Sequence, residues 1–119
     1  QLLHGDAFKY VKDTDGEKYD IICVDVFSEN QLPQDVFSKD FINDINNCSK
    51  DNSIIIFNLL EEAMDNVLPF AKALPDYFNE KYIINYDIHC FLVAIKSVNA
   101  TGKNGFIESL KQIGNVTTL

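Results

Sequence analysis

Three features of this 119-residue chain predict an α/β fold built on a mostly parallel sheet. Tyr19–Phe27 and Ser53–Leu60 are nearly continuous apolar, β-branched runs. Such runs mark strands covered on both faces, as in parallel sheets. Stretches with apolar residues at helical spacing alternate with them, and that alternation builds parallel strands through right-handed crossovers. Finally, Lys81–Ile88 and Cys90–Ser97 are two strand-like runs separated only by the Asp87-Ile88-His89 region. So short a connection forces an antiparallel pair, so a hairpin closes one edge and makes the sheet mixed.

Each element follows from its residues. From Asp6 to about Lys12, Phe8 and Val11 share a helical face and Asp6 suits the N-cap. Asp13-Thr14-Asp15-Gly16 then turns the chain. The Asp15-Gly16 pair suggests a calcium loop, but its first and twelfth positions would be Val11 and Ile22, where carboxylates are required. That reading fails. After the Tyr19–Phe27 strand, Ser28–Gln34 is a loop. Asp35–Cys48 carries Val36, Phe37, Phe41, Ile42 and Ile45 at helical spacing, with Ser38 a cap inside it. Asp51-Asn52 predicts a turn into the second strand. Glu61–Phe78 reads as helical in two pieces, because Pro69 and Pro75 interrupt it. Beyond the hairpin, Asn99–Asn104 is a polar loop. Phe106, Ile107, Leu110 and Ile113 then predict a last amphipathic helix stopping at Gly114. With no internal repeat or second-domain boundary, residues 1–119 read as a single, partial domain.

Composition narrows the function classes. The chain is 46% hydrophobic with a mean hydropathy of −0.08, as expected for a soluble globular protein. No apolar run approaches the ~20 residues of a membrane span. Ten basic against eighteen acidic residues give a net charge of −8. Nucleic-acid binders carry the opposite sign. The acidic balance is compatible with an amine-bearing small molecule or protein as partner, although simple solubility accounts for it better. Cys23, Cys48 and Cys90 are odd in number and form no C-x-x-C pair. Cys23 and Cys90 lie in apolar runs where a thiol acts as a small hydrophobe, which favours a reducing, cytoplasmic setting. The Asn-x-Ser/Thr matches at Asn47, Asn99 and Asn115 are read as chance. The start, Gln-Leu-Leu-His, reads as the inside of a longer polypeptide.

The chemistry concentrates in residues 4–41. Gly5-Asp6-Ala7-Phe8 resembles the Gly-Asp-Ala/Gly element that follows the third strand in the spermidine synthase-like group. Tyr19-Asp20-Ile21-Ile22-Cys23-Val24-Asp25 resembles that group's fourth strand, Tyr-Asp, four apolar residues and Asp. Leu32-Pro33 followed by Asp35-Val36-Phe37-Ser38-Lys39-Asp40-Phe41 resembles its Gly-Pro-Ala loop and the helix beyond. Asn58-Leu59-Leu60 resembles methyltransferase-like relatives acting on protein lysines or N-termini. The element order as a whole resembles the C-terminal half of the Rossmann-like, class I S-adenosylmethionine-dependent methyltransferase sheet, which ends in a hairpin.

That resemblance implies roles. Asp6, beside the Ala7 N–H, would hold the adenine of S-adenosylmethionine or decarboxylated S-adenosylmethionine, and Leu32 and Pro33 would pack near it. Asp25 would be catalytic, orienting or deprotonating an acceptor amine at the sheet rim where open α/β sheets bind ligands. Two departures bear on the activity. Aminopropyltransferases carry Asp-Ser-Ser-Asp where this chain has Asp25-Val26-Phe27-Ser28, so the second carboxylate is missing and Glu29 is the candidate replacement. The five glycines also never approach G-x-G-x-x-G spacing, so the half-site for the methionine and ribose is not expected here. Methyl transfer to an amine is therefore the leading expectation, with the isolated chain inactive. Aminopropyl transfer and a non-catalytic interaction module are the alternatives. Such a module would dimerise through an unpaired sheet edge beside Tyr19–Phe27.

Each candidate also has a plainer role. Asp25 could simply end a strand and cap the next loop, and Asp6 could simply cap a helix. Asp20 reads as a solvent-edge residue. His89 reads as a surface residue at the hairpin tip, and His4 as a pocket candidate beside Gly5-Asp6. Neither histidine belongs to a cluster with metal-ligand spacing. Tyr77, Phe78, Tyr82, Tyr86 and Phe91 read as core and hairpin packing.

Overall fold

A computed structural model describes residues 2–14, 16, 18–27, 32–60, 62, 64–97 and 104–119, with the backbone alone for 104–107. Ser28, Glu29 and Asn99, which the sequence singles out, lie outside these residues.

Helix α1 (Ala7–Asp13) starts where Asp6 predicts it, with Asp6 Oδ1 accepting the Phe8 and Lys9 N–H groups. Strand β1 (Tyr19–Val24) follows. A 3-10 turn at Gln34–Phe37 leads to α2 (Lys39–Cys48), capped by Ser38, whose Oγ accepts the Phe41 N–H. The predicted single helix is thus split at the residue that had the chemistry of a cap. Strand β2 (Ser49–Asn58), α3 (Met64–Ala73), β3 (Phe78–Tyr86) and β4 (His89–Lys96) come next, and α4 (Asn104–Ile113) and β5 (Asn115–Thr118) close the chain.

The five strands form one mixed sheet in the order β1-β2-β4-β3-β5. β1 and β2 are parallel, with Ile22 beside Ile55 and Val24 beside Phe57. The β3–β4 hairpin is antiparallel, and β4 also pairs antiparallel with β2. Asp87 turns the hairpin with φ of 52°, a conformation that Asp tolerates better than most residues.

Helices α1, α2 and α3 pack on one face, over Val24, Ile55, Phe57, Leu92 and Ala94. Phe8 meets Phe41 at 4.7 Å, and Phe70 meets Phe37 at 4.8 Å and Phe57 at 5.8 Å. On the other face Leu110 of α4 and Val116 of β5 pack against Tyr82, Ile84, Val93 and Ile95. No helix among the described residues is long and apolar enough to cross a membrane.

Several expectations need correction. β1 is not covered on both faces: Ile22 and Val24 turn to the helices, but Ile21 is 60% exposed and Cys23 is exposed. Among the described residues β1 is an edge strand, and α4 lies over the far side of the sheet. Asp51-Asn52 makes no turn between elements. It lies within β2, where the register with β1 jumps between Tyr19↔Ser49 and Ile21↔Ile54, so the polar residues occupy an irregular, exposed stretch. The described residues of 61–78 give one helix, with Pro69 inside it and Leu74-Pro75 beyond its end. The residue before a proline is pushed out of helical conformation, and Phe78 already belongs to β3.

β5 was not foreseen. Its Val116, Thr117 and Thr118 suit a strand, but four residues carry too little alternation to announce one. Gly114 makes the connection possible, since a Cβ there would lie 2.6 Å from the Asn85 carbonyl oxygen. His89 is the first residue of β4, half-buried, with its Nδ1 buried and unpartnered among the described residues. The tip is Asp87-Ile88 instead. Tyr77, Phe78, Tyr82 and Phe91 do pack within the protein, whereas Tyr86 is exposed.

Removing the α1 cap has a calculable cost. Asp6→Ala should destabilise the protein by about 1 kcal/mol, while Asp6→Asn, which keeps a capping oxygen, should cost much less. Urea unfolding of the two variants checks this.

Candidate functional site

The carboxyl ends of β1 and β2 define the rim of interest. Continuing the register beyond Val24↔Phe57 brings Asp25 beside Asn58. The Asn58 Nδ2 donates to Asp25 Oδ1 at 3.3 Å, and the Asn58 Oδ1 accepts the Leu60 N–H at 3.1 Å. Asp25 is exposed and Asn58 half-buried. The carboxylate is therefore open to solvent, with one oxygen tied to the neighbouring strand.

Asp6 lies at the head of α1. Helices α1 and α2 run alongside each other in the same direction. Phe8 meets Phe41 near their starts, and the Cys48 Sγ donates to the Val11 carbonyl near their ends at 3.6 Å. Because α2 begins after the chain leaves the carboxyl end of β1, the head of α1 is directed toward that rim. A cavity of about 350 Å³ opens there, lined by Leu3, His4, Gly5, Asp6, Ala7, Tyr10 and Val11.

The structure thus brings Asp6, Ala7 and His4 into one cavity. It does not bring Asp25, Leu32 or Pro33 into its lining. Leu32 packs against the core, and Pro33 accepts the Val36 N–H as the 3-10 turn starts. Asp20 is at the opposite end of β1, exposed and paired with Lys50 at 3.0 Å, in keeping with a solvent-edge role.

Two site residues escaped the sequence reading. Tyr10 walls the cavity, with its hydroxyl 3.3 Å from that of Tyr19. Asn58 was visible only as part of a resemblance. The signal for its contact was positional: Asp25 and Asn58 each interrupt an apolar run two residues before its end, and two parallel strands in register set such residues side by side.

The two buried thiols are not activated. Burial pushes the Cys90 thiol up, and the charge of Glu62 adds to that; burial and then Asp44 raise Cys48, against a smaller opposing effect of Lys18. Both stay protonated near neutrality, unlike activated nucleophilic cysteines. No group of three or more potential metal ligands occurs among the described residues.

A family model described as the spermine/spermidine synthase domain matches residues 1–88. The chain belongs to the spermine/spermidine synthase domain family. The match covers the cavity at α1, both parallel strands, Asp25 and Asn58, and it runs through β3 to the hairpin turn. No curated protein matches the chain. Asp6 uses Oδ1 to cap the helix, which leaves Oδ2 to accept from an amino group. The Ala7 N–H is among the first-turn donors that have no acceptor within the helix.

Proposed function

We propose that this chain supplies the adenine and acceptor-amine side of a Rossmann-like transferase site that alkylates an amine from S-adenosylmethionine. The observation that carries the reading is the Asp25 carboxylate, exposed at the rim yet anchored by Asn58. Asp6 and Ala7 would hold the adenine. When bound, the sulfonium donor supplies an electrophilic carbon. The acceptor nitrogen forms the new C–N bond as the C–S bond breaks and its electron pair stays on sulfur. Asp25 attracts the cationic amine, orients it and accepts the proton it must lose, which passes on to water.

Methyl transfer is favoured over aminopropyl transfer because Val26 and Phe27 stand where a polyamine synthase has the serines before its second carboxylate. A second reading, a non-catalytic module that pairs through its sheet edge, is favoured by the place of β1 at the sheet edge among the described residues, beside exposed Ile21 and Cys23.

The test uses a protein carrying the complete domain, given a small diamine and a lysine peptide with each labelled donor in turn. Label from S-adenosylmethionine entering an amine is the expected result. Label only from the decarboxylated donor makes it an aminopropyltransferase. No label from either, with a dimer in sedimentation, favours the module. Asp6→Asn should weaken S-adenosylhomocysteine binding about tenfold despite its small effect on stability. Unchanged affinity would leave Asp6 a helix cap alone.

A further inference from the structure

We infer that Asn58 is a positioning residue that holds the Asp25 carboxylate, and that a locked turn borrowed from the hairpin sets its orientation. This rests on the transferase reading above. A free asparagine can present either its oxygen or its nitrogen to a neighbour. Here the choice is forced, because the Leu60 N–H is a donor and must meet Oδ1, at 3.1 Å. Nδ2 then faces Asp25 Oδ1 at 3.3 Å, where a donor is what a carboxylate needs.

The Leu60 N–H is in turn fixed by its own backbone. Leu60 adopts φ of 52°, a left-handed conformation unfavourable for a branched apolar residue. Two backbone bonds to β4 hold it there: the Leu59 N–H donates to the Cys90 carbonyl at 2.9 Å, and the Cys90 N–H donates to the Leu60 carbonyl at 2.7 Å. Fully buried Leu59 anchors the same turn. The chain of constraint therefore runs from β4 through the Leu59-Leu60 turn and Asn58 to the carboxylate. One Asp25 oxygen is held by Asn58, and the other remains for the amine. Strain maintained beside a reactive group by surrounding hydrogen bonds is a pattern of functional sites.

The decisive variant is Asn58→Asp in the complete domain. It keeps an oxygen for the Leu60 N–H but takes the donor from Asp25. The expected result is a fall in kcat of about tenfold or more, with S-adenosylhomocysteine affinity within twofold of wild type and the unfolding midpoint little changed. Asn58→Gln, which restores the amide, should recover part of the rate. A kcat within twofold of wild type for Asn58→Asp would overturn the proposal, as would a loss of rate accompanied by an equal loss of donor affinity and stability. If the wild-type protein transfers nothing, the transferase reading fails, and NMR of the 119-residue chain decides the contact separately. Asp25→Ala should shift the Asn58 side-chain amide signals and leave the Leu60 backbone amide in place. Unmoved Asn58 signals would refute the contact itself.

Discussion

On the proposed transferase reading, Asp25→Asn in the full-length protein is expected to lower the rate of amine alkylation by about two to four orders of magnitude, the usual contribution of a positioned acid–base group. The substitution is nearly isosteric, and the new amide oxygen can still accept from Asn58 Nδ2, so the rim geometry survives. Only the negative charge and the proton acceptor are lost. Asp25 is exposed, and changes at exposed positions usually alter stability by no more than about 0.5 kcal/mol. Measuring kcat on one amine alongside the thermal midpoint separates the two effects. Activity within a few-fold of wild type would show that Asp25 does no more than end its strand.

Phe57→Ala should be the most destabilising of the changes considered. Phe57 is 0% exposed, lies between Val24 of β1 and Leu92 of β4, and takes the Phe70 ring edge-on at 5.8 Å. Truncating a buried phenylalanine costs about 3–5 kcal/mol, from lost burial and from the cavity left behind. Domains are stable by only about 5–15 kcal/mol, so a large part of the total is at stake. The urea midpoint should fall sharply with the slope nearly unchanged. A loss below about 1 kcal/mol would mean that α3 collapses into the space left by the ring.

Sequence signals were clearest where local chemistry dictates structure. Asp6 and Ser38 announced the helix starts because their side-chain oxygens satisfy N–H groups that helices leave unpaired. The hairpin was legible because a connection of two residues permits only one strand direction. The signals misled where structure depends on remote residues. Tyr19–Val24 looks like an interior strand in composition, yet apolar character cannot say whether a second layer covers it. β5 was missed because it exists through its pairing with β3, and no local pattern encodes that partner. The Asp25–Asn58 contact joins residues 33 positions apart; their matching places near the ends of two apolar runs hint at it, and only the register of β1 on β2 sets them side by side.

By itself the sequence determined an α/β chain with caps, a hairpin and two acids placed where strands and helices meet. Those outcomes follow from short-range sterics and hydrogen bonding, which each segment carries within itself. Tertiary structure alone decided that β4 lies beside β2, that β1 is left at an edge, and that the Leu59-Leu60 turn aims Asn58 at Asp25. Each of these depends on which strand ends meet in space, and only the packing of distant segments fixes that.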